Sequence, residues 1–127
     1  MATSGEANRL AAILRDTVVG LVRQDGVDLS ARQLAILLIC YLEDGPHRMH
    51  ALADRLYVGR PAISRCVDRL VRLNLADRIF DPADRRSLFV TRTPAGTAYV
   101  DVLRDLAQAA AGKIDTRDKT RPATRTR

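Results

Sequence analysis

Asp81-Pro-Ala-Asp-Arg-Arg-Ser-Leu-Phe-Val-Thr-Arg-Thr-Pro-Ala-Gly96 combines a tight charged turn, a short β-branched strand and a helix start. Asp81, Asp84, Arg85 and Arg86 are costly to bury, so this turn is expected to add nothing to a core and to hold its cations out in solvent. Residues 76–80 read as the strand that enters the turn, and residues 88–91 as the strand that returns. Thr93-Pro94 then opens a last helix to about residue 112, with Ala98, Val102, Leu106 and Ala109 along one side.

Upstream lies Arg60-Pro-Ala-Ile-Ser-Arg-Cys-Val-Asp-Arg-Leu-Val-Arg72. Pro61 suits a first helical turn, where its missing N–H does no harm. Ile63, Val67, Leu70 and Val71 form the inward stripe, which leaves Arg60, Ser64, Arg65, Asp68, Arg69 and Arg72 on the other faces. Asn74 is expected as a left-handed stop. Before this helix, a short one is expected over residues 50–56, with Leu52, Ala53 and Leu56 inward, followed by a turn at Tyr57-Val58-Gly59. Ser30 reads as the N-cap of a helix over residues 31–43, and the run from Leu34 to Leu42 is apolar on nearly every face, which places that helix centrally. Residues 6–24 carry apolar side chains at three- and four-residue steps, an amphipathic helix. The expected class is therefore mainly α with a small β-hairpin, a winged helix-turn-helix. It is read as a single domain over residues 1–112, with a basic, disordered tail over 113–127.

Composition agrees with this class. Apolar residues make up 46% of the 127-residue chain and aromatics 4%, with no Trp, so the core rests on Leu, Val, Ile and Ala. The net charge of +6 is unevenly spread. Residues 113–127 hold six Lys/Arg and two Asp; residues 60–86 hold seven Arg and four Asp; the rest of the chain holds eight Arg against nine acids. Positive excess confined to two places is the footprint of a polyanion partner, and an arginine-bearing helix followed by an arginine-tipped hairpin suits two contacts on duplex DNA. No apolar run approaches the roughly 18 residues of a membrane span, and no secretory signal is apparent at the N-terminus, so a cytoplasmic location is expected, nucleoid-associated when bound to DNA.

The sequence also resembles the MarR (multiple antibiotic resistance regulator) family over roughly residues 30–100. Its carriers are Met49-His-Ala-Leu-Ala-Asp-Arg-Leu-Tyr-Val58, Arg60 to Leu70, Leu75-Ala-Asp-Arg78, Asp81 to Arg86, and Val90-Thr-Arg-Thr-Pro-Ala-Gly96. The wing segment is the most specific of these. The resemblance implies a homodimeric DNA binder whose core spans about residues 30–93. Its fourth helix enters the major groove and a wing arginine enters the flanking minor groove. It implies further that an acid two positions before that arginine steadies it, which Asp84 and Arg86 match. The first and last helices would build the dimer, and Leu10, Leu14, Val18, Val102 and Leu106 are the residues expected there. Gly59 stands where the family often has a hydroxyl-bearing cap, and Asn74 where it has glycine.

For the major-groove face the expected residues are Arg60, Pro61, Ser64, Arg65 and Arg69, and for the wing Asp84, Arg85 and Arg86. Arginine suits bidentate contact with guanine as well as phosphate, and a narrow minor groove attracts it through enhanced negative potential. The plainer reading of the fourth helix is a solvated face with intrahelical pairs such as Arg65–Asp68 or Asp68–Arg72. Cys40 and Cys66 read as core residues; His47 and His50 lack the companions of a metal site, and His50 is at most a weak phosphate contact. No phosphate loop, HExxH or nucleophile elbow is present, so neither catalytic residues nor a cofactor is expected. The leading reading is a sequence-specific repressor that binds an imperfect palindrome, with a small-molecule effector of unidentified chemistry implied by the family. The competing readings are a winged-helix module for a protein partner and a nucleoid-type binder of low specificity, which the basic tail would support.

Overall fold

A computed structural model describes residues 3–120, with side chains through residue 117. In chain order the elements are α1 (Ser4–Arg23), α2 (Ala31–Leu42), β1 (His47–Arg48), α3 (Met49–Leu56), α4 (Arg60–Arg72), β2 (Asp77–Asp81), β3 (Asp84–Thr91) and α5 (Pro94–Thr120). They divide into two compact units: Asp28–Val100, and the flanking segments up to Val27 and from Asp101. The first is a winged helix-turn-helix, and the fold class is mainly α with one small antiparallel sheet.

In the Asp28–Val100 unit, α2 starts on a complete capping box. The Ser30 hydroxyl accepts the Gln33 N–H at 3.1 Å while the Gln33 side chain accepts the Ser30 N–H at 2.9 Å. As its apolar run implies, α2 is central: Ile36, Leu37, Cys40 and Tyr41 are buried among Leu52 and Ala53 of α3, Ile63, Val67 and Leu70 of α4, and Leu75, Val90 and Val100. Ile36, Leu37, Ile63 and Leu70 are essentially inaccessible, and each such burial contributes about 1.5–3 kcal/mol.

Both α3 and α4 end in the same left-handed closure. At Tyr57 φ is 54°, and the Val58 N–H reaches back to the Ala53 carbonyl at 3.0 Å. At Asn74 φ is 60°, and the Leu75 N–H reaches the Leu70 carbonyl at 2.9 Å. These six-to-one bonds satisfy carbonyls that the helix end leaves orphaned. The expected stop at Asn74 is thus present, and the turn of the helix-turn-helix is built the same way around Tyr57.

The Thr-Pro-Ala-Gly segment has a specific structural task. The Thr93 hydroxyl accepts the Gly96 N–H at 2.9 Å, which caps α5, and donates to the Asn74 carbonyl at 2.7 Å. The Tyr41 hydroxyl donates to the Leu75 carbonyl at 2.7 Å and accepts the Thr93 N–H at 2.9 Å. Gly96 passes so near that a Cβ there would overlap the Tyr41 hydroxyl and the Leu75 carbonyl oxygen. Arg92 donates to the carbonyls of Cys40 and Glu43 at 2.8 and 2.9 Å, closing the C-terminal end of α2.

The sheet has the order β1-β3-β2, with β3 antiparallel to both neighbours. β1 was not foreseen, since two residues are too few to show alternation; His47 pairs with Val90 and Arg48 with Phe89. The hairpin turn is shorter than the expected 81–86. Strand pairing continues to Asp81 opposite Asp84, so Arg85 and Arg86 lie at the start of β3 and only Pro82 and Ala83 turn the chain. Asp81 also departs from expectation, because it is buried. It is not stranded there: its two carboxylate oxygens accept from Arg48 and from the Ala83 N–H, which removes the cost that argued against burial.

In the other unit, α1 is capped by Thr3, whose hydroxyl accepts the Glu6 N–H at 3.0 Å, and it buries no residue at all. Leu10, Leu14, Val18 and Val22, each one turn from the next, remain 44–69% exposed. Arg9 forks onto Asp115 at 2.7 and 3.1 Å. A Cβ on Gly20 would lie 2.8 Å from Leu106, so the small residue lets α1 and α5 approach at that point. Along α5, Val100, Leu103, Ala110 and Ile114 are buried, whereas Ala98, Val102 and Ala109 of the side singled out in the sequence are exposed and Leu106 is half-buried. The helix carries apolar or small residues on adjacent faces, so periodicity alone does not say which of them packs within the chain. α5 also runs to Thr120, so residues 113–120 are helical where a disordered tail was expected; residues 121–127 of that tail lie outside the described residues. Among the described residues no helix is long and apolar enough to cross a membrane.

Candidate nucleic-acid interface

α4 begins at Gly59, which offers no side-chain cap, and Pro61 occupies its first turn. Ile63, Cys66, Val67 and Leu70 bury one side, which turns Arg60, Pro61 and Arg65 to solvent and leaves Ser64 half-buried beside them. Two of the helix's charged residues are spoken for. Arg69 donates to the Asp28 carbonyl at 2.7 Å and to the Gln33 side-chain oxygen at 2.8 Å, so its guanidinium braces the start of α2. Asp68 pairs with Arg78 of β2, and neither Arg65–Asp68 nor Asp68–Arg72, the intrahelical pairs of the plainer reading, forms. Among the described residues Arg60, Arg65 and Arg72 consequently have no hydrogen bond or ion pair, as Arg85 of the wing has none.

The wing is set up by carboxylates. Asp81 holds the turn, and the Ala83 N–H followed by the Arg48 guanidinium keeps its carboxyl below the ordinary carboxylate range. Asp84 Oδ1 accepts the Arg86 N–H at 3.1 Å, and the Arg86 Nε lies 3.6 Å from the same oxygen. Yet the Arg86 side chain is 95% exposed. The acid therefore fixes the backbone and base of Arg86 while leaving its donor fork free.

These elements meet at a cleft of about 200 Å³ lined by Met49, His50, Arg60, Ile63, Ser64, Arg86, Ser87 and Leu88. The start of α4 and the base of the wing thus line one recess, with Arg60 and Arg86 both contributing to it. Such a surface presents the unpaired guanidinium of Arg60 beside the solvent-exposed fork of Arg86, groups able to contact phosphates and base edges. Of the residues expected on the major-groove side, Arg60 and Ser64 line this cleft, Pro61 and Arg65 lie exposed on the same helix, and Arg69 is diverted. Arg48 escaped the sequence reading, because its role depends on the unforeseen strand β1.

The remaining candidates have local explanations. Burial pushes the Cys40 thiol up to about 11, so it is a poor nucleophile at neutral pH. Cys66 belongs to the core. The His47 ring bonds the Glu43 carbonyl at 3.0 Å. Arg55 forks onto Glu43 at 2.6 and 2.7 Å, which lowers the carboxyl's pKa and ties α3 to the end of α2.

The MarR family model matches residues 27–87. No curated protein sequence matches the chain. Among solved structures, RV1404 of Mycobacterium tuberculosis is 28% identical with a TM-score of 0.71, over 94% of this chain and 77% of that one. MarR itself is 27% identical with a TM-score of 0.61, over 82% and 76% of the two chains. A transcriptional regulator from Thermotoga maritima is 24% identical with a TM-score of 0.75, over 87% and 75%.

Proposed function

We propose that this chain, whose residues 27–87 match the model of the MarR family and which resembles solved winged-helix regulators of that family, is a DNA-binding transcriptional regulator that acts as a homodimeric repressor and reads an imperfect palindrome. In each subunit α4 enters the major groove, with Arg65 and Arg60 as the principal contacts and Pro61 and Ser64 beside them. Arg86, steadied by Asp84, enters the adjacent minor groove, and Arg85 meets phosphate. The observation that carries this reading is the pattern of unsatisfied guanidiniums. Arg60, Arg65 and Arg85 have no partner among the described residues and Arg86 projects its fork into solvent, whereas Arg69 and Arg78 nearby are bonded. Arg69 is accordingly left out of the contact set.

Dimerisation is supported by the apolar stripe of α1. A helix of 20 residues that buries none and exposes Leu10, Leu14, Val18 and Val22 on one side needs a cover. Val102 is also exposed and fits the same role, while Leu106 packs over Gly20 of its own chain. As a DNA-bound regulator the protein acts in the cytoplasm, at the nucleoid.

The test is a gel shift across salt, with genomic and random duplexes. Arg65→Ala should lose about 1–3 kcal/mol of discrimination at one position of the site. Arg86→Ala should weaken binding to all sequences and lower the magnitude of the salt slope by about 1. If neither variant differs from wild type the contact set is wrong. Binding without sequence preference would favour a nucleoid-type role, and no binding together with a stable protein partner would favour an interaction module.

A further inference from the structure

The wing is a two-stranded lever whose tip carries Arg85 and Arg86, and a two-stranded hairpin has little stability of its own. What holds its base is the cluster around Arg48. The Arg48 Nη1 donates to Asp81 Oδ2 at 2.6 Å and to Ser87 Oγ at 3.1 Å, and the guanidinium lies 4.7 Å from the centroid of the Phe89 ring. Asp81 ends β2 and Ser87 lies in β3, so one side chain bridges the two strands immediately before the turn. Both acceptors are buried, with Asp81 6% and Ser87 7% exposed. Arg48 itself comes from β1, which pairs with β3 through Phe89 and leads directly into Met49 at the start of α3. Arg48 therefore connects the turn end of the wing to the helix-turn-helix, as Arg78, paired with Asp68 of α4, connects the other end of β2. Ser87 and Met49, the neighbours it ties together, both line the cleft that also contains Arg60 and Arg86.

We propose that Arg48 is a positioning residue for the wing: by clamping Asp81 and Ser87 it sets where Arg86 meets the nucleic acid, without touching that nucleic acid itself. The proposal rests on the wing reading given above. Arg48 differs from the solvent-facing arginines in having its fork bonded within the protein. It differs from Arg69, which is bonded as well, because its partners lie in the two wing strands rather than at the start of α2.

A double-mutant cycle with Arg48→Met and Arg86→Ala tests this, read as DNA affinity and salt slope on the selected duplex. Methionine keeps a stem to cover Phe89 and removes the donors. Each single variant should weaken binding by about tenfold and lower the salt-slope magnitude by about 1, and the double variant should be no worse than the single ones to within about threefold. A double variant about a hundredfold weaker, with the slope lowered by about 2, would show that Arg48 contacts DNA directly and would overturn the proposal. Amide hydrogen exchange of the free protein provides a readout independent of DNA. In Arg48→Met, and more mildly in Ser87→Ala, exchange should rise at the amides of β2 and β3 while the α2 core keeps its protection. Unchanged exchange in the wing would also overturn the proposal. Wild type that fails to bind DNA refutes the wing reading, and exchange then still decides whether Arg48 holds the hairpin.

Discussion

Around the start of α4 and the wing, Arg60, Arg65 and Arg85 have no partner among the described residues, and Arg86, held at its base by Asp84, ends in solvent. Along the seam where α2 meets the start of α5, Arg92, Tyr41 and Thr93 end on main-chain groups of Cys40, Glu43, Leu75 and Asn74. Both regions are rich in hydrogen-bond donors, and their chemistry is similar. The difference is whether an acceptor lies within reach. Where a carbonyl or carboxylate is available, arginine becomes a brace; where the nearest acid is taken, as Asp68 is by Arg78, the guanidinium is left for a partner. α4 shows both outcomes one turn apart, in Arg65 and Arg69.

The largest effect expected lies in the seam. Gly96→Ala should cost at least about 3 kcal/mol in thermal or denaturant unfolding, because the new methyl must displace both the Tyr41 hydroxyl and a backbone carbonyl. A near-neutral result would mean that the seam yields easily and is no brace. On the solvent side, Arg65→Ala should leave stability within about 0.5 kcal/mol of wild type while reducing discrimination between duplexes. The reverse profile is expected of Arg69→Ala, a loss of about 1 kcal/mol of stability with base preference unchanged. If these two variants behaved alike, the contrast between brace and free fork would collapse.

The smallest effect is on the acid side. The folded pKa of Asp81 is depressed, so its contribution is fully present above the ordinary carboxylate pKa and is lost as pH falls through the lower folded value. Unfolding curves of wild type and Asp81→Asn should therefore converge as pH drops below about 4. Curves that stay parallel over that range would show that Asp81 does not titrate with folding.

Much of this arrangement was legible in the sequence, for identifiable reasons. Ser30, Pro61, Asn74 and the run from Leu34 to Leu42 act through local rules of capping and periodicity, and the structure places them where those rules put them. Which side of α5 is buried within the chain was not legible, because an Ala-rich helix offers several apolar stripes and only tertiary packing selects one. Asp81 was misread for a different reason. A lone aspartate looks too costly to bury until its partner is known, and Arg48 arrives from a strand of two residues, 33 positions away. The free and bonded arginines of α4 were equally beyond reach, since Asp28, Gln33 and Arg78 come from other elements.

The proposed reading has two copies of α4, aided by the wing, meet two half-sites at once, and selection of bound sequences from a random duplex pool by the full chain decides it. The expected product is an imperfect palindrome with half-site centres one helical turn apart, about 10–10.5 base pairs. Enrichment of a single asymmetric site, or of no sequence at all, would rule out paired reading.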